Sequence, residues 1–222
     1  MGHRPQGYFI VFEGIDGSGK TCQLHRIEQY LRRRGIDDIH RTEEPTNHPI
    51  GKLIREQYLS QNTLPNAHTL AYLFAADRMD HITHPLYGMK ALKAKGKTIL
   101  CSRYVFSSLA YQSVSLPMEW IYKINRPMLE IFPPDMVLYL RIDPHTALAR
   151  LQQRSHPTQR EVFEYRTFIE QLHERYERAI RQYASQYPLA IIDAAQSVDE
   201  VHRQIVQAVD ELIFQQKTKK WK

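Results

Sequence analysis

Over 222 residues, 42% hydrophobic and 24% charged, the chain has the make-up of a folded globular protein and the length for one α/β domain spanning 1–222, too short for two independent ones. Lys and Arg outnumber Asp and Glu by 30 to 24, which suits ligands bearing several negative charges, but the basic residues are scattered rather than gathered into a stripe, which argues against nucleic acid as the main ligand. Two cysteines, Cys22 and Cys101, offer neither a metal-ligand spacing nor a disulfide framework, the opening MGHRPQGYF has no apolar secretion signal, and no apolar run approaches the roughly 20 residues of a membrane span, so a cytoplasmic setting is expected.

In chain order, the first apolar run, Tyr8 to Phe12, predicts a buried strand. A glycine-rich turn follows, then a helix beginning near Lys20 that carries Leu24, Ile27 and Leu31 on one face and stops at Gly35. Further apolar runs at Asp38 to Thr42, Thr98 to Ser102, Met136 to Ile142 and Leu189 to Asp193 complete five strands. Between and after them, helical patterns cover Ile50 to Leu59, Asn66 to Lys95, Val105 to Gln112, Pro117 to Glu130, Pro144 to Arg154, Arg160 to Tyr187 and Ser197 to Gln216, with residues 217–222 expected to form a flexible tail. Short apolar strands alternating with helices indicate an α/β three-layer fold, a parallel sheet covered on both faces, whose ligands bind at the carboxyl ends of the strands.

The turn after the first strand reads EGIDGSGKT, so Gly14, Gly19, Lys20 and Thr21 match G-x-x-x-x-G-K-[ST] between a predicted strand and a predicted helix, the setting of a P-loop NTPase. Glycines 14, 17 and 19 let backbone amides turn inward around a phosphate, toward which the next helix points its positive end. Gly14, Ile15, Asp16, Gly17, Ser18, Gly19, Lys20 and Thr21 are therefore the expected ATP site, with Lys20 reaching the β and γ phosphates and the Thr21 hydroxyl available to Mg²⁺. No base-reading N-K-x-D motif accompanies it, so a small-molecule kinase is the leading class.

Six segments, FEGIDGSGKT, TEEPTNHPIGKLIR, LAYLFAADRMDH, SRYVFSSLAYQ, PPDMVLYLRIDP and IIDAAQSVDEV, in that order and spacing, resemble the thymidylate kinase family, which phosphorylates dTMP with ATP and Mg²⁺. The resemblance implies that Phe74 stacks on thymine and Arg78 hydrogen-bonds the base; the two are four apart and share a helix face. Arg103, directly after the third strand, is the expected holder of the acceptor phosphate, since a guanidinium fork matches phosphate oxygens. Tyr111 is expected against the sugar, Gln112 or Ser108 near the base edge with Ser107 on a nearby face, Asp16 near the acceptor sugar and the metal, and Arg55 facing the acceptor. The family's lid falls at about 150–161, where Arg154 and Arg160 are expected to clamp the transferred phosphoryl because Gly17 stands where some members carry arginine. Ala194, Ala195 and Gln196 would border the adenine, and a homodimer would form through a surface around Trp120 and Tyr122.

Two positions depart from the family's pattern. Ser102 replaces the Asp that orients Mg²⁺ or its water shell, and Glu43 replaces an arginine. Asp16 or Glu13 could carry the metal work instead; the alternatives are a related P-loop kinase with another acceptor, for which Glu13 could serve as base, and a catalytically weakened nucleotide-binding protein.

Overall fold

The computed structural model describes residues 7–59, 66–153 and 159–219, with the side chains of 159–165 and 216–219 outside that description. Five strands, β1 (Phe9–Glu13), β2 (Ile39–Glu43), β3 (Thr98–Ser102), β4 (Met136–Arg141) and β5 (Leu189–Asp193), form one parallel sheet in the order β2-β3-β1-β4-β5. The expected five-stranded parallel sheet flanked by helices is thus present. Every side chain of β1 is buried, because β1 has a strand on each side and helices on both faces, whereas the edge strands β2 and β5 are only partly covered.

β1 lies between β3 and β4, and the chain runs from β1 out to β2 and back to β3 on one side before crossing to β4 and β5 on the other, so the crevice that receives ligands in such sheets opens at the carboxyl end of β1. Helix α1 (Lys20–Arg33) starts where the P-loop ends. Its Leu24, Ile27 and Leu31 are buried as the spacing predicts, each contributing about 1.5–3 kcal/mol through apolar burial. Gly35, at φ 78°, closes it, with Ile36 N donating to Leu31 O at 3.0 Å.

The helix expected over Ile50 to Leu59 is α2 (Pro49–Leu53) continued by a π-helical turn, Ile54–Leu59. The single helix expected over Asn66 to Lys95 is two: α3 (Ala67–Thr83) and α4 (Met89–Ala94). Pro85 is the cause, since it drives His84 to an extended ψ of 131° and cannot itself donate into a helix. Then come α5 (Val105–Tyr111), α6 (Met118–Ile131), α7 (Pro144–Gln152), α8 (Gln159–Tyr183) and α9 (Val198–Lys219). The α9 backbone is still helical at 217–219, where a frayed tail was expected, and 220–222 lie outside the described residues. Asp143 caps α7 by accepting from Thr146 N at 2.9 Å, and Asn66 caps α3 by accepting from His68 N at 2.9 Å.

Candidate active site

The P-loop begins with Gly14 at φ 142°, and Gly17 follows at φ 82°. A Cβ on Gly14 would lie 2.7 Å from Leu140 O and one on Gly17 would lie 2.5 Å from Ala147 O, so both positions demand glycine by conformation and by space. Lys20, at the first position of α1, turns its Nζ back over the loop to donate to Gly14 O at 2.8 Å and Ile15 O at 2.9 Å. Burial, and after it the nearby Arg103 guanidinium, push the Lys20 ammonium down to about 7, against the pull of Asp16 and Glu13. Ser18 Oγ is buried without a hydrogen-bond partner among the described residues, and the amides opening α1 have no side-chain cap. Uncapped amides at the start of a helix, an unsatisfied hydroxyl and a buried lysine together suit a phosphate.

Arg103 sits across the crevice, just past β3. Its backbone takes the left-handed conformation at φ 67°, costly for a residue other than glycine and held here by Arg103 N donating to Phe12 O at 2.9 Å. Its Nη2 donates to Asp16 Oδ1 at 2.6 Å and to the Tyr111 hydroxyl at 3.0 Å, Nη1 lies 3.4 Å from Ser107 Oγ, and the guanidinium stands 4.8 Å from the Tyr111 ring centre. The Tyr111 hydroxyl in turn donates to Asp16 Oδ2 at 3.1 Å. Burial alone would raise the Asp16 carboxyl, but Arg103, Lys20 and the Tyr111 hydroxyl together hold it below the usual carboxylate range. Burial would lower the Arg103 pKa, yet Tyr111, Tyr176 and Asp16 raise it further above its ordinary value, so the guanidinium is permanently charged.

A cavity of about 470 Å³ opens beside this triangle. Asp16, Arg103, Ser107 and Tyr111 line the end near the P-loop, while Phe74, Arg78, Ser108 and Gln112 line the rest. All eight were named from the sequence, and the fold brings them to one place. Arg78 is 1% exposed and largely committed to the protein: Nε donates to Glu44 Oε2 at 2.7 Å, Nη1 to Asn125 Oδ1, and Nη2 to Tyr104 O at 3.0 Å and Ser108 Oγ at 2.9 Å. Glu44 also meets His81 Nδ1 at 3.0 Å, so this wall is a buried polar network rather than a single exposed arginine.

Arg55 is not among the described residues lining the cavity. Its guanidinium is held instead by Glu43 Oε1 at 2.9 Å, Asn47 Oδ1 at 3.1 Å and Thr46 O. Arg154 and the rest of 154–158 lie outside the described residues, and so does the side chain of Arg160 in the first turn of α8. Arg150, at the head of that segment, donates to Ala194 O at 2.8 Å and lies 3.4 Å from Ala195 O and Gln196 O, tying α7 to the loop after β5. Leu59 and Phe168, which no sequence pattern singled out, complete the apolar mouth of the cavity; only their exposure, 50% and 37%, marks them as more than core.

For a divalent cation the donors are few. Among the described residues no three His, Cys, Asp or Glu gather as a metal cluster. Thr21 is exposed on the first turn of α1, Asp16 is already paired with Arg103, and Ser102 stands at the end of β3 between Phe12 and Glu43 in register. Glu13 does not fill the gap, because it is fully buried and both carboxylate oxygens accept hydrogen bonds from α5 and α8. Such a set fits a Mg²⁺ held chiefly by nucleotide phosphates and water, with the Thr21 hydroxyl as its protein ligand.

Known proteins share this arrangement of sequence. A family model described as thymidylate kinase matches residues 12–205. A thymidylate kinase of Halalkalibacterium halodurans is 38% identical over 200 residues, covering 88% of this chain and 92% of that protein. One from Geobacillus thermodenitrificans is 35% identical over 207 residues, covering 91% and 89%. The crystal structure of thymidylate kinase from Ehrlichia chaffeensis superposes with a TM-score of 0.69 over 92% of this chain and 99% of that one; at 21% identity this speaks for the fold alone.

Proposed function

The chain belongs to the thymidylate kinase family, and from that premise we propose that it transfers the γ-phosphoryl of ATP to dTMP, giving dTDP and ADP. The observation that carries the reading is the facing of two phosphate sites across one crevice: the Lys20 loop on one side, the Asp16, Arg103 and Tyr111 triangle with its apolar cavity on the other.

A phosphate monoester near neutral pH carries close to two negative charges, so its oxygen needs no general base to act as nucleophile. What the protein supplies is alignment and charge neutralisation. Lys20 and the loop amides hold the donor's β and γ phosphates, and Arg103 holds the acceptor phosphate. Phe74 offers a face for the base, Tyr111 packs against the sugar, and Asp16 keeps Arg103 aimed while accepting from the 3'-hydroxyl. Mg²⁺, bound with Thr21, supplies further neutralisation of the transferring charge. Arg154 and Arg160 are the arginines available to the lid.

A homodimer is supported by the aromatic patch where His68 and Tyr72 of α3 meet Trp120 of α6, with Tyr72 57% exposed. The substrates are small molecules rather than nucleic acid, and two unpaired cysteines with no apolar spanning helix among the described residues accord with action in the cytoplasm. The test is ADP release with ATP, Mg²⁺ and each of dTMP, dUMP, dCMP, dGMP, AMP and thymidine. Turnover should favour dTMP, with dUMP weaker; preference for thymidine or AMP would overturn the assignment.

A further inference from the structure

Glu13 belongs by sequence to the phosphate loop but by structure to the acceptor side. It is the last residue of β1, and its side chain is 0% exposed. Oε1 accepts from Tyr104 N at 2.8 Å and Ser107 N at 3.2 Å, and Oε2 accepts from Ser107 Oγ at 2.6 Å and the Tyr176 hydroxyl at 3.1 Å. None of these four contacts goes to a P-loop atom. Tyr104 is the N-cap residue of α5 and provides no side-chain cap of its own, so a carboxylate from β1 caps that helix instead.

The capped turn begins one residue after Arg103. On one side, Arg103 N is bound to Phe12 O; on the other, Tyr104 N is bound to Glu13 Oε1. Two consecutive residues of β1 therefore grip the two peptide amides that bracket the left-handed backbone of Arg103. Ser107, which Glu13 also holds, lies 3.4 Å from Arg103 Nη1, so the grip extends to the guanidinium. Tyr176 completes the arrangement from α8, its hydroxyl 2.8 Å from Ser107 Oγ as well. Burial raises the Glu13 carboxyl, opposed by its hydrogen bonds from Ser107 and by Arg103, which agrees with a carboxylate kept in place by donors rather than by water.

We propose that Glu13, braced by Ser107 and Tyr176, is the positioning residue that fixes Arg103 for the acceptor phosphate, so that its loss weakens dTMP and spares ATP. The inference rests on the dTMP kinase reading. A carboxylate that merely stabilised the fold would affect both ligands alike. The P-loop, by contrast, is shaped by its glycines against Leu140 and Ala147, and the four hydrogen bonds of the Glu13 oxygens all go elsewhere.

The experiment is calorimetric titration of the full chain with dTMP and, separately, with ATP, on wild type, Glu13→Gln and Tyr176→Phe, with KM for each substrate measured beside it. Glu13→Gln keeps one acceptor for the amides and reverses the other into a donor; it should weaken dTMP about ten-fold and change ATP less than about two-fold. Tyr176→Phe removes one donor and should move dTMP in the same direction by a smaller factor, which keeps the test open if Glu13→Gln fails to fold. Equal weakening of both ligands, or unchanged dTMP binding in folded variants, overturns the inference alone. A wild type that binds ATP but no dTMP overturns the reading beneath it.

Discussion

Arg103 Nη2 lies 2.6 Å from Asp16 Oδ1, so the expected acceptor-phosphate arginine and the acid of the phosphate loop form one ion pair across the crevice. Asp16 is 41% exposed in its side chain, so the pair adds little to stability, and its consequence is orientation. Arg103→Ala should weaken dTMP by about 10 to 100-fold, the loss of charge-assisted contacts worth about 1.5–3 kcal/mol, while ATP changes several-fold at most. Direct binding measurements decide it, and equal losses for both ligands would place Arg103 elsewhere.

Lys20 makes ATP binding proton-linked. In the free protein its ammonium is pushed down to about 7, and incoming phosphates favour the charged form. Binding above neutral pH should therefore take up a proton. Titrations at pH 8 in two buffers of different ionisation enthalpy should give different apparent enthalpies, and identical ones would refute the linkage. The same depression has a stability sign. Between about 7 and the ordinary value of 10.5 the unfolded chain holds the extra proton, so Lys20 makes stability rise with pH across that window. Below 7 both states are protonated and its contribution is constant.

Gly17 shows why the loop of this chain has no room for an arginine at that position. A Cβ there would lie 2.5 Å from Ala147 O, at a backbone φ of 82°. Gly17→Arg should cost about 1–3 kcal/mol and lower the melting temperature, as well as impair ATP binding. A variant as stable as wild type would mean that α7 yields easily.

Ser102→Asp would restore a carboxylate at the end of β3, beside Phe12 and Glu43 in register. The Mg²⁺ concentration for half-maximal rate should fall by about 10-fold, the scale of a supporting metal contact, with dTMP affinity unchanged. Mn²⁺ binding to the ATP complex, followed by electron paramagnetic resonance, should tighten in parallel. No shift in either would show that Ser102 is not near the cation.

Trp120→Glu places a charge in the ring cluster with His68 and Tyr72. If that patch is the dimer surface, sedimentation should show a monomer with its melting temperature little changed. A dimer that persists would put the contact on another face.

Local signals carried much of the fold. The apolar runs of β1, β3 and β4 and the Leu24, Ile27, Leu31 stripe are periodicities within one segment, and the glycine spacing of the P-loop announces its own backbone. Pro85 was a local signal too, overlooked inside a long amphipathic pattern, and it divides α3 from α4. The site's wiring was less visible, because it is made between distant residues. Arg78 meets Glu44 and Asn125, and Glu13 meets Tyr176, pairings that no spacing encodes. Arg55 and Phe74 lie in recognisable motifs, yet only packing separates the one paired with Glu43, away from the cavity lining, from the other on the cavity wall.

Both halves of the crevice hang from the end of β1: the P-loop continues its chain, and the turn of Arg103 is fastened to Phe12 and Glu13. The gap between donor and acceptor is therefore gauged by one central strand before either nucleotide arrives. Such a frame by itself imposes no order of arrival, and initial-rate and product-inhibition patterns are expected to be those of random addition.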